Sequence, residues 1–338
     1  MSSFGATDPY DEATVRAMVA AVAPDWEVTS IEPCRQGTDA IYFVAGETPT
    51  GERDAVLKAC EFTDAARFRR EPRLLDRAAD AGLPVPSVYG IVDEHVELPA
   101  PYFLMERCRG ESLPDGGADE LSADALATVA ATAGRALATT HDLVELDGFG
   151  VLGGSGGELT VAEPGRDWRS VRQESIEGDL DELEGGRFDD LHGELREYFE
   201  AEIELLDRQF DPALAHNDYR VGNLLLDLET GETHAILDWG AVFAAHAEYD
   251  LVSTEQHLAG HTLPSDERRH LVREHLYTGY ERVNPLARDA ELRRRRRFYL
   301  LDTQLSAMRW LPHWHADATA KERAAVAEHH RAFVRELL

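Results

Sequence analysis

Lysine is almost missing from this 338-residue chain: Lys58 and Lys321 are its only two, within a Lys and Arg total of 34. Against these stand 64 Asp and Glu, giving a formal net charge of −30 and a pI near 4.7. A field of that sign repels phosphate backbones and anionic lipid, so binding to nucleic acid or to a membrane surface is disfavoured. No apolar run approaches the roughly 18 residues of a membrane helix, and no charged-then-apolar leader opens the chain at Met1, so a cytoplasmic protein is expected. Cys34, Cys60 and Cys108 form an odd set without close pairing, which excludes a disulfide framework and fits reduced structural thiols. Internal repeats and low-complexity linkers are absent too. Nor does the stretch Gln36 to Asp39 carry the Gly-x-Gly-x-x-Gly phosphate fingerprint of protein kinases.

What remains to explain the acidity is one of two things. A cationic acceptor would be concentrated by the field. Alternatively the whole surface is adapted to concentrated salt, where a Debye length of about 3 Å at 1 M screens the self-repulsion. The scarcity of lysine and the spread of Asp and Glu along the whole chain favour the second, a salt-requiring protein of a halophilic cell. The basic run Arg293 to Arg297 is read as charge compensation on a helix. Trp310 to His315 gathers aromatic and imidazole groups; its two histidines at i, i+2 make a poor zinc signature and suggest lobe packing, with Trp310 or Trp314 as candidates to line a pocket.

The most informative stretch is His216-Asn217-Asp218-Tyr219-Arg220-Val221-Gly222-Asn223, followed by Ile236-Leu237-Asp238-Trp239. Leu224 to Leu228 and His234 to Asp238 are apolar, strand-like runs flanking the turn Glu229-Thr230-Gly231-Glu232, which predicts a hairpin. With the register centred on that turn, Leu226 faces Ala235, Leu225 faces Ile236 and Asn223 faces Asp238. Directly opposed residues lie roughly 4.5 to 5.5 Å apart on one face. An amide oxygen and a carboxylate so placed can bind one Mg²⁺, with water and phosphate filling the other positions. Asp218, five residues before Asn223, can orient a hydroxyl and accept its proton while Asn223 and Asp238 hold the metal. The pattern is that of phosphoryl transfer. Singly, each of these residues is an ordinary turn or strand-end residue, and His216 reads better as a loop-holding core histidine than as a base.

This segment resembles the catalytic and metal-binding loops of the aminoglycoside phosphotransferase family, whose loop reads His-Gly-Asp-Tyr-Arg-x-Gly-Asn; here Asn217 replaces the usual glycine. The resemblance implies an α+β, protein-kinase-like fold in two lobes. A small antiparallel-sheet N-lobe would span residues 1–108 and a mainly helical C-lobe residues 109–338, a length that exceeds a usual single core. It implies ATP, or GTP, and Mg²⁺ as cofactors, a hydroxyl of a small molecule as acceptor, and catalytic Asp218 with Arg220 and His216 in the same loop. Arg220 would reach the γ-phosphate. Asp250, at the start of a helix, matches the family aspartate that braces the catalytic loop, with an N-cap role as the alternative. The short stretch between Asp238 and that helix leaves no room for a long activation loop, which argues for a small acceptor over a protein.

Upstream, Lys58 in Ala55-Val56-Leu57-Lys58-Ala59 survives where composition avoids its type, and a point-like ammonium suits the α/β-phosphates. Phe68, Glu71, Leu75 and Ala78 share one helical stripe, so Glu71 turns inward, and an inward carboxylate needs a cation. Lys58 is the candidate, matching the family's strand-lysine to helix-glutamate pair; the alternative is a surface glutamate at a helix start, and Pro72 predicts a kink or a restart at Glu71. Between strand-like runs Trp26 to Ile31 and Ala40 to Ala45, Gly37 and Thr38 sit in a turn suited to covering phosphate, and Asp39 is expected to tighten it. Pro101 to Cys108 resembles the last N-lobe strand entering the hinge, which makes Glu106 and Cys108 candidates for nucleotide contact. Ser122 caps a helix whose stripe Leu126, Val129, Ala130, Ala133 and Leu137 ends near His141. Acidic amphipathic helices are expected over Trp168 to Glu184 and Leu191 to Phe210, as a wall of the acceptor site.

The rival reading from another class is a nucleotide-binding regulatory module that has lost transfer. A metal-dependent phosphohydrolase using His216, Asp218 and His234 leaves Lys58 and the hairpin unexplained. Among acceptors the family includes aminoglycosides, macrolides, choline-like alcohols, homoserine and sugars, and fold analogy does not choose between them. The oligomeric state is not legible.

Overall fold

The computed structural model describes residues 9–34, 39–114, 117–153 and 158–338; Gly37 and Thr38 lie outside them. The N-terminal part is a five-stranded antiparallel sheet built from β1 (Glu27–Cys34), β2 (Ala40–Thr48), β3 (Gly51–Ala59), β4 (Val88–Val92) and β5 (Tyr102–Glu106), in the order β1-β2-β3-β5-β4. Strict alternation in β2 buries Ala40, Tyr42 and Val44 on one face, where α1 (Glu12–Val22) brings Val15, Met18 and Val19 to form a small core. Its other face carries the half-buried Ile41 and Phe43.

Helix α2 (Ala65–Asp80) is capped by Asp64, whose carboxylate accepts from the N–H groups of Ala66 and Arg67. Phe68, Glu71, Leu75 and Ala78 are all buried, as their spacing predicts. The expected break at Pro72 does not occur: α2 runs unbroken through it, and the proline ring is itself buried among the helix's packed residues. Only one intrahelical hydrogen bond is forgone by a proline, and burial of its ring offsets that loss.

The C-terminal part is mainly helical. Helix α3 (Ala123–His141) begins at Ser122, whose hydroxyl accepts from the Ala125 N–H. Two short strands, β6 (Leu152–Gly153) and β7 (Thr160–Val161), lead to α4 (Trp168–Leu183) and α5 (Asp189–Glu202). Thus α5 stops at Glu202 and a 3-10 turn follows over Ile203–Leu206, short of the helix to Phe210 expected from sequence. Strand β8 (Pro212–Ala215) delivers the catalytic-type loop. Next come β9 (Leu224–Leu226), β10 (Thr233–Ile236) and β11 (Phe243–His246), which pairs back with β8, followed by α6 (Ala247–Leu258) and α7 (Glu267–Tyr280). Two long helices, α8 (Ala290–Trp314) and α9 (Ala320–Leu337), close the chain.

Close approach, not only apolar area, sets this packing. A Cβ on Gly134 of α3 would lie 1.9 Å from the Leu276 carbonyl oxygen of α7, so the two helices meet backbone to backbone. The basic run sits on α8 and is consumed internally: Arg294 pairs with Glu202 at 3.1 Å, Arg295 with Glu248 at 2.6 Å, and Arg296 with Glu255, while Arg297 donates to the Leu338 carbonyl. Trp310 and Trp314 also lie on α8, but 40% and 55% exposed, so the lobe-packing role expected for them is not what they do. Among the described residues no helix is long and apolar enough to cross a membrane, and none of the three cysteines is in a disulfide.

Candidate active site

The hairpin forms, with a register one residue away from the symmetric one. Leu225 faces Ala235 and Leu224 faces Ile236, and the Leu237 N–H donates to the Asn223 carbonyl at 2.8 Å, so Asn223 faces Leu237 rather than Asp238. The cause is a bulge between Thr233 and Ala235, beside a turn in which Asp227 Oδ1 accepts from the N–H groups of Glu229 and Thr230. Asp238 nevertheless lies at the hairpin mouth. It follows β10 in the left-handed region (φ 59°, ψ 62°), and its side chain is exposed, away from the hydrogen-bonded ladder.

Asn217 occupies the same region, at φ 65°. That explains why glycine is usual there in the resembled family: the position demands positive φ, and asparagine is among the few other residues that tolerate it. Its Nδ2 donates to the Ala241 carbonyl at 3.3 Å. The loop is held from below by Asp250 of α6, fully buried, whose Oδ2 accepts from the His216 N–H and Oδ1 from the Asn217 N–H, both at 2.9 Å. His141 of α3 meets the same carboxylate, Nε2 to Oδ2 at 3.2 Å, and its Nδ1 lies 3.0 Å from the Tyr280 hydroxyl. Asp250 is therefore a brace and not an N-cap; His246 holds the cap position. The part played by His141 was not visible in the sequence, where it reads as the end of a packed helix.

Above this brace, Asn223 Nδ2 donates to the Asp218 carbonyl at 2.9 Å and to Asp218 Oδ2 at 2.8 Å, and Arg220 Nε donates to Asp218 Oδ1 at 2.9 Å. Turning its NH₂ toward Asp218 leaves the amide oxygen of Asn223 as an acceptor pointed elsewhere. His216 does not meet a substrate: its ring is 1% exposed and stands edge-on to Tyr219 and Trp239. Burial pushes its pKa down against the opposing pull of Asp250, Asp218 and Asp238, so the imidazole is neutral packing.

On the N-terminal side Lys58 Nζ contacts Glu71 Oε1 at 2.9 Å and Oε2 at 2.7 Å. Burial opposes the lysine's charge, yet Glu71, Asp238 and Asp39 around it outweigh that and hold its pKa above the usual value. Burial pushes the Glu71 carboxyl up, the contrary demand. The two short contacts decide for an ionised pair. A Cβ placed on Gly240 would lie 3.5 Å from Asp238 Oδ1 and 3.7 Å from Glu71 Oε2, so the pair adjoins the carboxylate at the hairpin mouth.

The sheet supplies an apolar roof that the sequence reading overlooked. Ile41 faces Lys58, Phe43 faces Val56, and Val56 faces Met105; opposed residues share a face, so all lie on the side of Lys58. The Arg107 guanidinium lies 4.2 Å over the Phe43 ring. The period-2 alternation of Ala40 to Ala45 carried the signal. Asp39, expected to tighten its own turn, instead braces the next loop: Oδ1 accepts from the N–H groups of Glu61, Phe62 and Thr63 at 3.1 to 3.2 Å, and Oδ2 from the Thr63 hydroxyl at 2.7 Å. Glu106 Oε2 accepts from the Ser87 hydroxyl at 2.9 Å, and with Cys108 it lines a cavity shared with His234 of β10.

A hard divalent ion fits the donor set at the mouth. An amide oxygen and an exposed carboxylate oxygen are two ligands, and Mg²⁺ is commonly held by one or two protein oxygens plus phosphate. Among the described residues no group of three His, Cys, Asp or Glu forms a protein-only metal cage.

Comparison with known proteins bears on the family and the fold. Mouse acyl-CoA dehydrogenase family member 10 is 25% identical over 180 residues, which are 52% of this chain and 15% of that protein, so the chain spans only a small part of its curated relative's length. Two solved structures share the fold. The GDP complex of wild-type aminoglycoside 2'-phosphotransferase-IIIa is 16% identical, with 96% of this chain and 99% of that one covered at a TM-score of 0.60. A putative fructosamine-3-kinase from Haemophilus somnus is 14% identical, with 94% and 98% covered at 0.57. The sequence profile of the phosphotransferase enzyme family (APH) matches residues 30–286. With most of its length so matched, the chain belongs to that family, and it shares the kinase-like fold of these two structures.

Proposed function

We propose that the chain transfers the γ-phosphoryl group of ATP, with GTP as the alternative donor, to a hydroxyl of a small molecule in a Mg²⁺-dependent reaction. The observation that carries this reading is the double hydrogen bond from Asn223 to Asp218, which ties a base to a neighbouring ligand for metal. Asn223 and Asp238 would hold the Mg²⁺, which neutralises charge on the phosphates when bound. Asp218 orients the acceptor hydroxyl and takes its proton as the oxygen bonds to the γ-phosphorus and the bond to the β-phosphate oxygen breaks. Lys58, fixed by Glu71, contacts the α/β-phosphates; Arg220 contacts the γ-phosphate on the far side of Asp218. Ile41, Phe43, Val56 and Met105 cover the base, with Glu106 and Cys108 at the hinge. In this scheme residues 1–108 carry the nucleotide and 109–338 the acceptor.

A screen of hydroxylated metabolites and antibiotics for ATP consumption tests it. We expect at least one acceptor to give Mg²⁺-dependent turnover; stoichiometric nucleotide binding with no transfer to any acceptor would favour the regulatory-module reading. Salt adaptation is part of the same proposal. At about 0.1 M salt the Debye length is roughly 10 Å and the acidic surface repels itself, whereas molar salt screens it. The expected Tm therefore climbs steadily from about 0.1 M to molar KCl. A flat Tm across that range removes the halophilic reading. A cytoplasmic setting is part of the same proposal, since none of the three cysteines is in a disulfide.

A further inference from the structure

A second cavity, of about 320 Å³, opens between α2 and the segment Trp239–Phe243, and its wall is basic in a chain whose net charge is −30. Arg67, Arg70 and Arg172 line it together with Asn217 and Tyr249. Arg172 is already matched: Nε and one terminal nitrogen reach the Asp302 carboxylate at 2.9 and 2.6 Å. The two α2 arginines in this wall are not. Arg67 donates Nε to the Gly240 carbonyl, and Arg70 donates to the Leu152 and Gly153 carbonyls; neither makes an ion pair among the described residues. Carbonyl oxygens satisfy a donor without cancelling a full charge, and they occupy only part of a guanidinium's five N–H groups.

For Arg70, the buried one of the two, that imbalance is costly. Arg70 is 9% exposed, and burial pushes its pKa down, whereas Arg172, equally buried, is pushed up because Asp302 outweighs its burial. Tyr249 is 8% exposed and its hydroxyl makes no hydrogen bond among the described residues, although buried phenols ordinarily find a partner. Burial also raises its pKa to about 12, so it remains an O–H donor. Donors therefore converge on a cavity whose lining holds no carboxylate to match their charge.

We propose that this cavity binds an oxyanion of the phosphate or carboxylate class, held by Arg67, Arg70 and Tyr249. The anion is either free or borne by the acceptor; the two share one recognition chemistry. Its position has a consequence in either case. Arg67 and Arg70 stand on the helix that carries Glu71, and Gly240 stands two residues after Asp238, so an anion bridging them ties the Lys58-Glu71 pair to the hairpin mouth. An acidic surface would then coexist with a site that selects an anion, which excludes a polycationic acceptor from this cavity.

Calorimetric titration of inorganic phosphate into protein saturated with Mg²⁺ and a non-hydrolysable ATP analogue tests the proposal, because the triphosphate site is then filled. The nucleotide titration that precedes it reports separately on the phosphotransferase reading. We expect one phosphate site whose affinity falls by roughly tenfold or more in Arg67→Met and in Tyr249→Phe, with partial retention in Arg67→Lys. Arg67 is exposed and Tyr249→Phe keeps the ring, so neither variant depends on the folding of an Arg70 substitution. No phosphate binding by the folded, nucleotide-loaded protein, or an affinity unchanged in both Arg67→Met and Tyr249→Phe, overturns it. With an acceptor in hand, phosphate that raises KM at constant kcat assigns the site to an anionic group of the acceptor; phosphate that alters kcat at constant KM assigns it to a free anion.

Discussion

Replacing Asp218 by Ala is expected to remove phosphoryl transfer while leaving nucleotide affinity unchanged. The loss of a positioned general base costs about 10² to 10⁴-fold in rate, and here the residue also orients the hydroxyl, so kcat should fall at or beyond the upper end. Nothing in the nucleotide roof depends on this side chain: Ile41, Phe43, Val56 and Lys58 are held by the sheet and by Glu71. Asp218 is bound instead to Asn223 and Arg220, both within the loop. Asp218→Asn is the sharper variant. It keeps the shape and one acceptor oxygen but cannot take a proton, so its turnover should match the alanine variant with an unchanged Tm. Turnover within a few-fold of wild type in either variant would sink the role given to this residue, and a parallel loss of nucleotide binding would mean that the loop had collapsed.

The constellation was legible because its members sit at short spacing. His216 to Asn223 and Ile236 to Asp238 carry the residue types that metal and base chemistry require, and two apolar runs around a turn announce the hairpin that joins them. What failed was register. Alternation of Leu and Ala does not reveal that His234 lies beside a bulge, and a one-residue slip reverses which partner Asn223 meets. Asp238 comes to the mouth through its left-handed backbone and not through ladder pairing.

Elements whose meaning comes from distant partners were less legible. Glu71 was found because its place on an apolar stripe signals burial, and burial demands a cation; Lys58 was then the natural one in a chain with two lysines. No comparable signal marks His141, 109 residues from Asp250, or the convergence of α2 arginines with Tyr249, because nothing local in sequence records a contact between distant segments. Pro72 misled in the opposite direction: its local penalty is real, but tertiary burial of α2 overrides it. Trp310 and Trp314 misled through their aromatic character, which suggested packing although α8 turns them outward.

The second large effect is expected at Asp250, far from any substrate. Its carboxylate is 0% exposed and accepts the His216 and Asn217 N–H groups, so Asp250→Ala orphans two buried donors at about 1–3 kcal/mol each. Asp250→Asn is nearly isosteric and should fare little better, because its NH₂ must face one N–H and exchange an acceptor for a donor. Both variants free Asn217 from the left-handed conformation in which it presents Asp218, so kcat should fall with stability. The pH dependence separates this brace from a general packing role. Burial alone would raise the Asp250 carboxyl, but His141, His216 and the Asn217 N–H outweigh it and hold the pKa below the usual carboxylate range. A carboxyl depressed on folding contributes stability in full above its unfolded pKa, about 3.9, and loses that contribution as pH falls through the lower folded value. The stability difference between wild type and Asp250→Asn, from denaturant unfolding at constant salt, should therefore be flat from neutrality to about pH 5 and shrink only in strong acid. A difference that persists undiminished to the lowest pH at which the protein remains folded, together with wild-type kcat in the asparagine variant, would reduce Asp250 to an ordinary buried residue and leave the positive φ of Asn217 without its cause.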